Sequence, residues 1–370
     1  MLKAYFIDLF NRFKNKSLFT KCFFILLFIA NVFLLCICLI RTKYNVIAPG
    51  ELNRAEETVT INTKNNEGNI LTVAVSEFYN VPVIQYWLAK NNEKFAIEDS
   101  TENVLSNDEY QVYSILSKRS SINEAIIIAY EAARLVDNTI HLQYNFEGMR
   151  IFSLKNTVKD LELNDLITKV EGKSFNDINE FHAILDELLG EDRLGGTKNI
   201  GDSVQFTVIR NDVELERSAM IFEEDGKLKL GITIKSSYYL DSNASNPSFK
   251  INYNEKYDAS GSSGGAMMAL SIYNQLLAED VTKGLFIAGT GTINIDGSIG
   301  AIGAIEQKTI EVFTKGLDLF FVDGEEYYEN GLSDYDYAVA TAKKFGYDDS
   351  KIIKVKTFDD IISYLNSYGD

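Results

Sequence analysis

Cysteine is scarce in this chain, and the few cysteines lie close together. Three occur among 370 residues, and Cys22, Cys36 and Cys38 all fall in one apolar run near the N-terminus. The rest of the chain has no thiol to oxidise, which disfavours a scaffold held together by disulfides. The chain must therefore bury apolar side chains. Its length and 46% hydrophobic content suffice for more than one core and predict two domains.

Histidine is scarcer still, which limits the serine chemistry open to this chain. Residues Gly261-Ser262-Ser263-Gly264-Gly265 match the G-x-S-x-G elbow of α/β-hydrolases, but those enzymes need a histidine after the serine, and none follows Ser263. In chymotrypsin-like proteases the histidine precedes the serine, and His141 and His182 both precede Ser263. However, His141 lies in a strand-like segment and His182 in an amphipathic run, where packing or surface roles fit better. A surface esterase is thus disfavoured, and the S-x-x-K pattern of β-lactamases is missing.

A nucleotide-binding loop and a basic surface are also missing. The nearest match to G-x-x-x-x-G-K-[ST], residues 190–197, has Gly196 where the phosphate-binding lysine must be, so we expect no ATP-driven motor. The net charge is −17, and residues 44–370 alone carry −23, which argues against nucleic acid as a partner. We expect neither a metal ion nor another cofactor.

The chain does contain a serine flanked by glycines and a lysine on an apolar helix face. Glycines around Ser263 allow a sharp turn, and the helix predicted from Ala266 to Leu277 begins directly behind it, so an oxyanion could lie against its N-terminus. Lys308 has Ile305 and Val312 beside it at helical spacing. Burial disfavours the charged form of a lysine, and a neutral amine can accept a proton from a hydroxyl. The pattern predicts a nucleophile at Ser263 and a base at Lys308.

Residues 256–322 resemble the proteolytic domain of Lon-type serine peptidases. In that family, G-P-S-A-G carries the nucleophile and G-G-[LI]-x-x-K carries the base. The resemblance implies that Ser263 is the nucleophile, that Lys308 is the general base, and that Thr290 helps to hold the lysine. The competing interpretation is a glycine-rich loop beside a core lysine.

Two residues of the serine loop depart from the family pattern. Ser262 replaces the proline and Gly264 replaces the alanine of G-P-S-A-G. We place Gly261, Ser262 and Gly264 in the region that supports the oxyanion.

Residues 146–222 form a block with its own order of predicted elements. A strand is predicted at 148–154, a helix from Ile178, and a hairpin from Val204 to Glu216 that turns at Asn211-Asp212. This order resembles bacterial PDZ domains, and we name residues 146–222 the PDZ-like block.

The PDZ resemblance implies a peptide-binding loop. It would consist of Phe146, Glu147, Gly148 and Met149, where backbone N–H groups and strand addition would hold a peptide. A purely structural module is the alternative.

A run of 19 uncharged residues, 22–40, is long enough to cross a bilayer as a helix. Five Lys or Arg residues precede the run, and Arg41 and Lys43 follow it closely, so the positive-inside rule predicts a cytoplasmic N-terminus. A cleaved signal peptide is the rival interpretation. We favour the anchor because the run is long for a signal peptide and no A-x-A-like site follows.

The order of patterns predicts a peptidase domain interrupted by an insert. Strands at 58–76, turning at 65–68, and a helix at 121–135 would precede the nucleophile, with a polar loop or surface helix at 91–108. A strand at 317–322, a helix at 335–345 and a strand and helix at 352–364 would complete the domain. We expect an α/β (α+β) Lon-type domain with a mainly β PDZ-like insert after one transmembrane helix. The divisions are a cytoplasmic tail at 1–21, the anchor at 22–40, the first part of the peptidase domain at 44–145, the PDZ-like block at 146–222 and the catalytic domain at 227–370.

The combination resembles the membrane-anchored PDZ–Lon peptidases of Gram-positive bacteria. The resemblance implies an ATP-independent serine endopeptidase outside the cytoplasmic membrane that cleaves secreted peptides, including signalling peptides, or unfolded segments. An oligomer is compatible with it. The alternative from another class is a non-catalytic PDZ adaptor or holdase with a degenerate peptidase domain.

Overall fold

Helices and strands are mixed along the whole chain in a computed structural model, which confirms the predicted α/β class. The structure describes residues 14, 16–62, 68–100, 106–190, 193–194, 196–256 and 258–369. The helices are α1 (Leu18–Leu39), α2 (Val83–Lys90), α3 (Asn107–Val136), α4 (Ile178–Leu189), α5 (Gly265–Leu276), α6 (Ile305–Lys315), α7 (Asp334–Phe345) and α8 (Phe358–Ser367). Most of the predicted tail at 1–21 and the predicted turn at 65–67 lie outside the described residues.

The strands follow the same chain order. They are β1 (Tyr44–Arg54), β2 (Val59–Ile61), β3 (Ile70–Phe78), β4 (Ala96–Asp99), β5 (His141–Leu154), β6 (Leu166–Val170), β7 (Lys173–Ser174), β8 (Ser203–Arg210), β9 (Val213–Met220), β10 (Phe222–Glu224), β11 (Lys227–Lys229), β12 (Ile232–Asn246), β13 (Phe249–Ile251), β14 (Ile287–Thr290), β15 (Thr292–Ile293), β16 (Ile299–Gly300), β17 (Leu319–Asp323) and β18 (Ile352–Val355).

The chain divides into two compact units, and the first consists of residues 1–49 and 75–103. Its helix α1 is 22 residues long, has no buried residue, and is long and apolar enough to cross a membrane. The start of β1 pairs antiparallel with β4, and a small core of Val46, Val81 and Ala89 lies beside them. The prediction of a loop or surface helix at 91–108 is wrong where β4 forms, because the partner strand supplies hydrogen bonds that a local pattern does not reveal.

The second unit, residues 50–74 and 104–370, contains a mixed sheet around a buried helix. Its strands lie in the order β18-β17-β14-β3-β1, and β14 runs parallel to both β3 and β17. Every residue of α5 is buried, as expected for a helix inside a core. The long helix α3 packs against α5. The predicted strand at 317–322 and the helices near 335–345 and 352–364 are confirmed as β17, α7 and α8.

The PDZ-like block builds an antiparallel sheet around its own core. Helix α4 begins at Ile178 as predicted, with Asp177 as its N-cap, and buries Phe181 and Leu185. The hairpin β8–β9 turns at Asn211 and Asp212, whose φ angles of 51° and 62° fit the turn preferred between twisted strands. Both local predictions are confirmed.

This sheet extends beyond residues 146–222. Its order is β12-β5-β6-β8-β9, and β12 pairs with β5 from Ile232 opposite Leu154 to Asn246 opposite His141. The chain therefore enters the block on β5 and leaves it on the neighbouring β12, so the two connections to the rest of the unit lie side by side.

Candidate active site

The loop that carries Ser263 leads directly into α5. This helix begins at Gly265, one residue before the predicted start, and Ser263 is half-buried in the turn before it. The Ser263 carbonyl accepts a hydrogen bond from the backbone N–H of Gly291 at 2.8 Å and a second from Thr290 Oγ1 at 3.2 Å. The serine loop is thus fixed to the end of strand β14.

Lys308 lies in the first turn of α6 and is 3% exposed. Its Nζ donates a hydrogen bond to Thr290 Oγ1 at 3.4 Å. The hydroxyl of Thr290 therefore donates to the Ser263 carbonyl and accepts from Lys308. The structure brings together the three residues that the sequence singled out in separate elements.

One face of α3 supports the serine loop. The backbone N–H of Gly261 donates to the Ser114 carbonyl at 3.0 Å, and the Ser260 hydroxyl donates to Ser114 Oγ at 3.1 Å. Two turns along α3, Ser121 Oγ donates to the Ser262 carbonyl at 3.1 Å. Positions seven apart share a helix face, so these contacts fix both ends of the loop.

The sequence analysis missed half of this support because it began the helix at Ser121. The first turns of α3 are polar, so apolar periodicity does not mark them. The signal that could have found them is the S-x-x-E capping box: Ser106 and Glu109 cap each other's backbone at the start of α3.

A second buried lysine, which the sequence analysis did not single out, lies on the same face of α3. Lys118 is 8% exposed, and its Nζ is 4.0 Å from the position that a Cβ on Gly264 would occupy. Burial lowers the pKa of Lys118 to about 8, although Asp258 acts in the opposite direction. Two lysines therefore approach the serine loop, from α3 and from α6.

The glycines after Ser263 leave no room for larger residues. A Cβ on Gly265 would lie 2.6 Å from Ser121 Oγ and 2.8 Å from the backbone nitrogen of Ile293. A Cβ on Gly264 would lie 3.0 Å from Thr72 Cγ2. A methyl group at position 264 would therefore require Thr72 to move by a few tenths of an ångström.

The turn before α6 is strained. Ala304 has φ 58° and ψ 39°, in the left-handed region that favours glycine. Asp334 holds this turn, because its carboxylate accepts from the Ile302 N–H at 2.9 Å and from the Tyr328 hydroxyl at 2.8 Å. Burial raises the pKa of Asp334, while the hydrogen bonds from the Ile302 N–H and the Tyr328 hydroxyl oppose that shift.

Phe146 to Met149 form part of strand β5 and not a loop, which corrects the prediction for the peptide-binding segment. Phe146 pairs with Tyr238 and Gly148 with Ser237 on β12, while Met149 also pairs with Ile167 on β6. Strand β12 thus occupies one edge of β5 in this segment, and β6 pairs on the other edge only from Met149 onward. A peptide could add as a strand on the first edge only if β12 left.

A cavity of about 210 Å³ lies between α3 and the β5–β12 pair. Arg119, Asn123, Glu147, Arg150 and Tyr238 are among its lining residues. The Arg150 guanidinium donates to the Ser237 hydroxyl and to Asn164, and Arg119 pairs with Glu255. Protein acceptors thus already bind both arginines of the cavity.

Comparisons with known proteins reach about a quarter of the chain. No protein-family model and no curated protein matches it. The chain is similar to the PDZ domain of an SdrC-like protein from Listeria monocytogenes, with 23% identity, 24% of this chain and 90% of that chain covered, and a TM-score of 0.20. It is also similar to the PDZ domain of an SdrC-like protein from Listeria innocua, with 25% identity, 24% of this chain and 93% of that chain covered, and a TM-score of 0.20. A third similar structure is the solution structure of the second domain of a Listeria protein, with 26% identity, 25% of this chain and 86% of that chain covered, and a TM-score of 0.20. At these TM-scores the similarities carry no argument about activity.

Proposed function

We propose that this chain is an ATP-independent serine endopeptidase with a Ser263–Lys308 dyad. The observation that carries the proposal is the Thr290 hydroxyl, which joins the buried amine of Lys308 to the backbone of Ser263. Burying an ammonium group is costly, whereas a lysine that works as a base is neutral before the reaction.

The reaction follows from these groups. Ser263 Oγ attacks the scissile carbonyl carbon, and its proton passes to the neutral amine of Lys308. The developing oxyanion lies against the backbone N–H groups of Ser263 and Gly264, where the N-terminus of α5 favours negative charge. Lys308 returns the proton to the leaving amine. Water then attacks the acyl-enzyme and gives a proton to Lys308, and Lys308 passes that proton to Ser263 Oγ as the acid leaves.

Substrates in this proposal are peptides or unfolded segments, because the chain carries no ATPase loop with which to unfold a protein. Helix α1 anchors the chain in the cytoplasmic membrane with the N-terminus inside and residues 44–370 outside. Secreted peptides, including signalling peptides, then reach Ser263 by diffusion.

The alternative, a PDZ adaptor or holdase without catalysis, is less well supported. Such a protein would hold peptides by strand addition, and β12 already occupies one edge of β5.

Labelling with a serine-reactive phosphonate tests the proposal. We expect the wild type to be labelled and Ser263→Ala to remain unlabelled. Ser262→Ala is the matched control, because the neighbouring hydroxyl belongs to the same loop, and it should still be labelled. Two results would contradict the dyad and favour the adaptor. One is labelling of Ser263→Ala, and the other is a folded wild type that is not labelled at any pH between 6 and 9.

A further inference from the structure

Helix α2 presents an apolar face that the rest of its unit does not cover. Ile84, Trp87 and Leu88 stand at positions i, i+3 and i+4 and therefore share one face. The side chains of Trp87 and Leu88 are 59% and 53% exposed. Tyr86 packs elsewhere, stacking on Tyr44 with ring centroids 4.7 Å apart. The face of α2 that carries Tyr86 therefore attaches the helix to β1, and the Ile84–Trp87–Leu88 face is a different one.

This helix begins beside the end of α1. The Val83 N–H, at the first residue of α2, donates to the carbonyl of Ile40, which caps α1, at 3.1 Å. The Thr42 N–H donates to the Val81 carbonyl at 2.9 Å. Trp87 follows Val83 by four residues, about 6 Å along a helix axis. The apolar face therefore lies within roughly one helical turn of the point where α1 ends.

The composition around this face is that of a membrane–water boundary. Tryptophan and tyrosine are enriched there because their rings are apolar and their N–H or O–H groups stay hydrated. Phe78 and Tyr79, in the same unit, are also exposed, and Lys90 at the end of α2 is an exposed cation suited to anionic headgroups.

We propose that α2 is an interfacial helix whose Ile84–Trp87–Leu88 face lies in the headgroup region of the leaflet that α1 leaves. The lipid bilayer covers this face, because α2 begins beside the end of the proposed membrane-spanning helix α1. This inference rests on the proposed membrane anchor. Contact along α2 would restrain the unit of residues 1–49 and 75–103 from tilting about the single spanning helix.

Trp87 makes the test unusually direct, because it is the sole tryptophan among the 370 residues. The full chain is reconstituted into phosphatidylcholine–phosphatidylglycerol vesicles with bromine either high on the acyl chain or near its end. We expect blue-shifted emission and stronger quenching by the high bromine than by the deep one. Leu88→Asp should lose the blue shift and the quenching, whereas Gln85→Asp, at an exposed position next to the face, should keep both.

Vesicle flotation separates this inference from the anchor on which it depends. A chain that does not float with vesicles overturns the anchor and the interfacial helix together. A chain that floats, but whose Trp87 emits like a water-exposed indole and is quenched by neither bromine, overturns the interfacial helix alone. Blue-shifted emission that bromine does not quench and that grows with protein concentration would assign the face to a second copy of the chain.

Discussion

The hydroxyl of Thr290 donates its proton to the main-chain carbonyl of Ser263 across 3.2 Å. A hydroxyl has one proton to give, so the same oxygen must act as an acceptor toward its other partner, the Nζ of Lys308. This arrangement holds the lysine amine in a defined orientation relative to the serine loop.

Replacing Thr290 should therefore lower turnover without weakening substrate binding. We expect Thr290→Val to reduce kcat roughly 10- to 100-fold with little change in KM, because it removes orientation and not a substrate contact. Thr290→Ser keeps the hydroxyl and should retain most activity. Steady-state kinetics on a fluorogenic peptide measure both, and equal kinetics for the valine and serine variants would remove Thr290 from the mechanism.

The identity of the base can be tested by comparing the two buried lysines. Lys308→Arg should abolish cleavage because arginine does not give up its proton in this pH range. Lys118→Met should keep measurable turnover, since Lys118 contacts the loop from α3 and has no part in the proposed proton transfer. Retained cleavage in Lys308→Arg together with its loss in Lys118→Met would transfer the base from α6 to α3.

Lys118 should also give stability a characteristic dependence on pH. Its pKa falls from 10.5 to about 8 on folding, so between these values the unfolded chain binds more protons and stability rises with pH. Below pH 8, burial of the charged amine lowers the free energy of unfolding by about 3 kcal/mol, and above pH 10.5 this loss of stability vanishes. Lys118→Met should thus be more stable than the wild type at pH 7, with the difference shrinking toward pH 10.5. Chemical denaturation across this range measures the difference, and a constant value would contradict the burial of the amine.

Ala304 offers a test of the strained turn before α6. An alanine in the left-handed region costs about 1–2 kcal/mol of stability, which glycine would not incur. Part of this gain is offset because glycine loses more backbone entropy on folding. We expect Ala304→Gly to stabilise the fold by about 1 kcal/mol. Gly303→Ala is the matched reverse change, because Gly303 lies outside the left-handed region and a Cβ there meets no neighbour. It should be neutral or stabilising, and destabilisation by Ala304→Gly would show that this turn carries no strain.

Topology can be tested independently of catalysis. Protease added to intact protoplasts should digest residues 44–370 and spare the segment before Cys22. A protected C-terminus would reverse the orientation, whereas release of the protein into the medium would indicate a cleaved signal peptide.

Sequence patterns predicted the elements whose signals are local. Helix α4 has an N-cap and an amphipathic period, the hairpin at Asn211-Asp212 has its turn residues, and β17 is a short apolar run between polar flanks. The sequence singled out Ser263 and Lys308 because glycines flank the serine and an apolar stripe flanks the lysine, and their catalytic roles stay a prediction.

The remainder depends on partners distant in sequence. Lys118 is buried and Ser114 is half-buried on α3, and Ser114 is hydrogen-bonded to Ser260, which is 146 residues away in the sequence. Similarly, β12 takes the edge of β5 although some ninety residues separate Phe146 from Tyr238. No local period in the sequence encodes such a pairing.

The loop before α5 is attached to a helix that is buried along its whole length. Exchange of the amide hydrogens in the middle turns of α5 with solvent should then require cooperative unfolding, whereas amides in exposed connections exchange through local opening. The serine loop is fastened to that helix at one end and to α3 and β14 along its length. In the proposed peptidase, the conformational freedom needed for substrate entry must therefore come from the surroundings of the loop, and Ser263 should keep its position under thermal stress for as long as the fold persists.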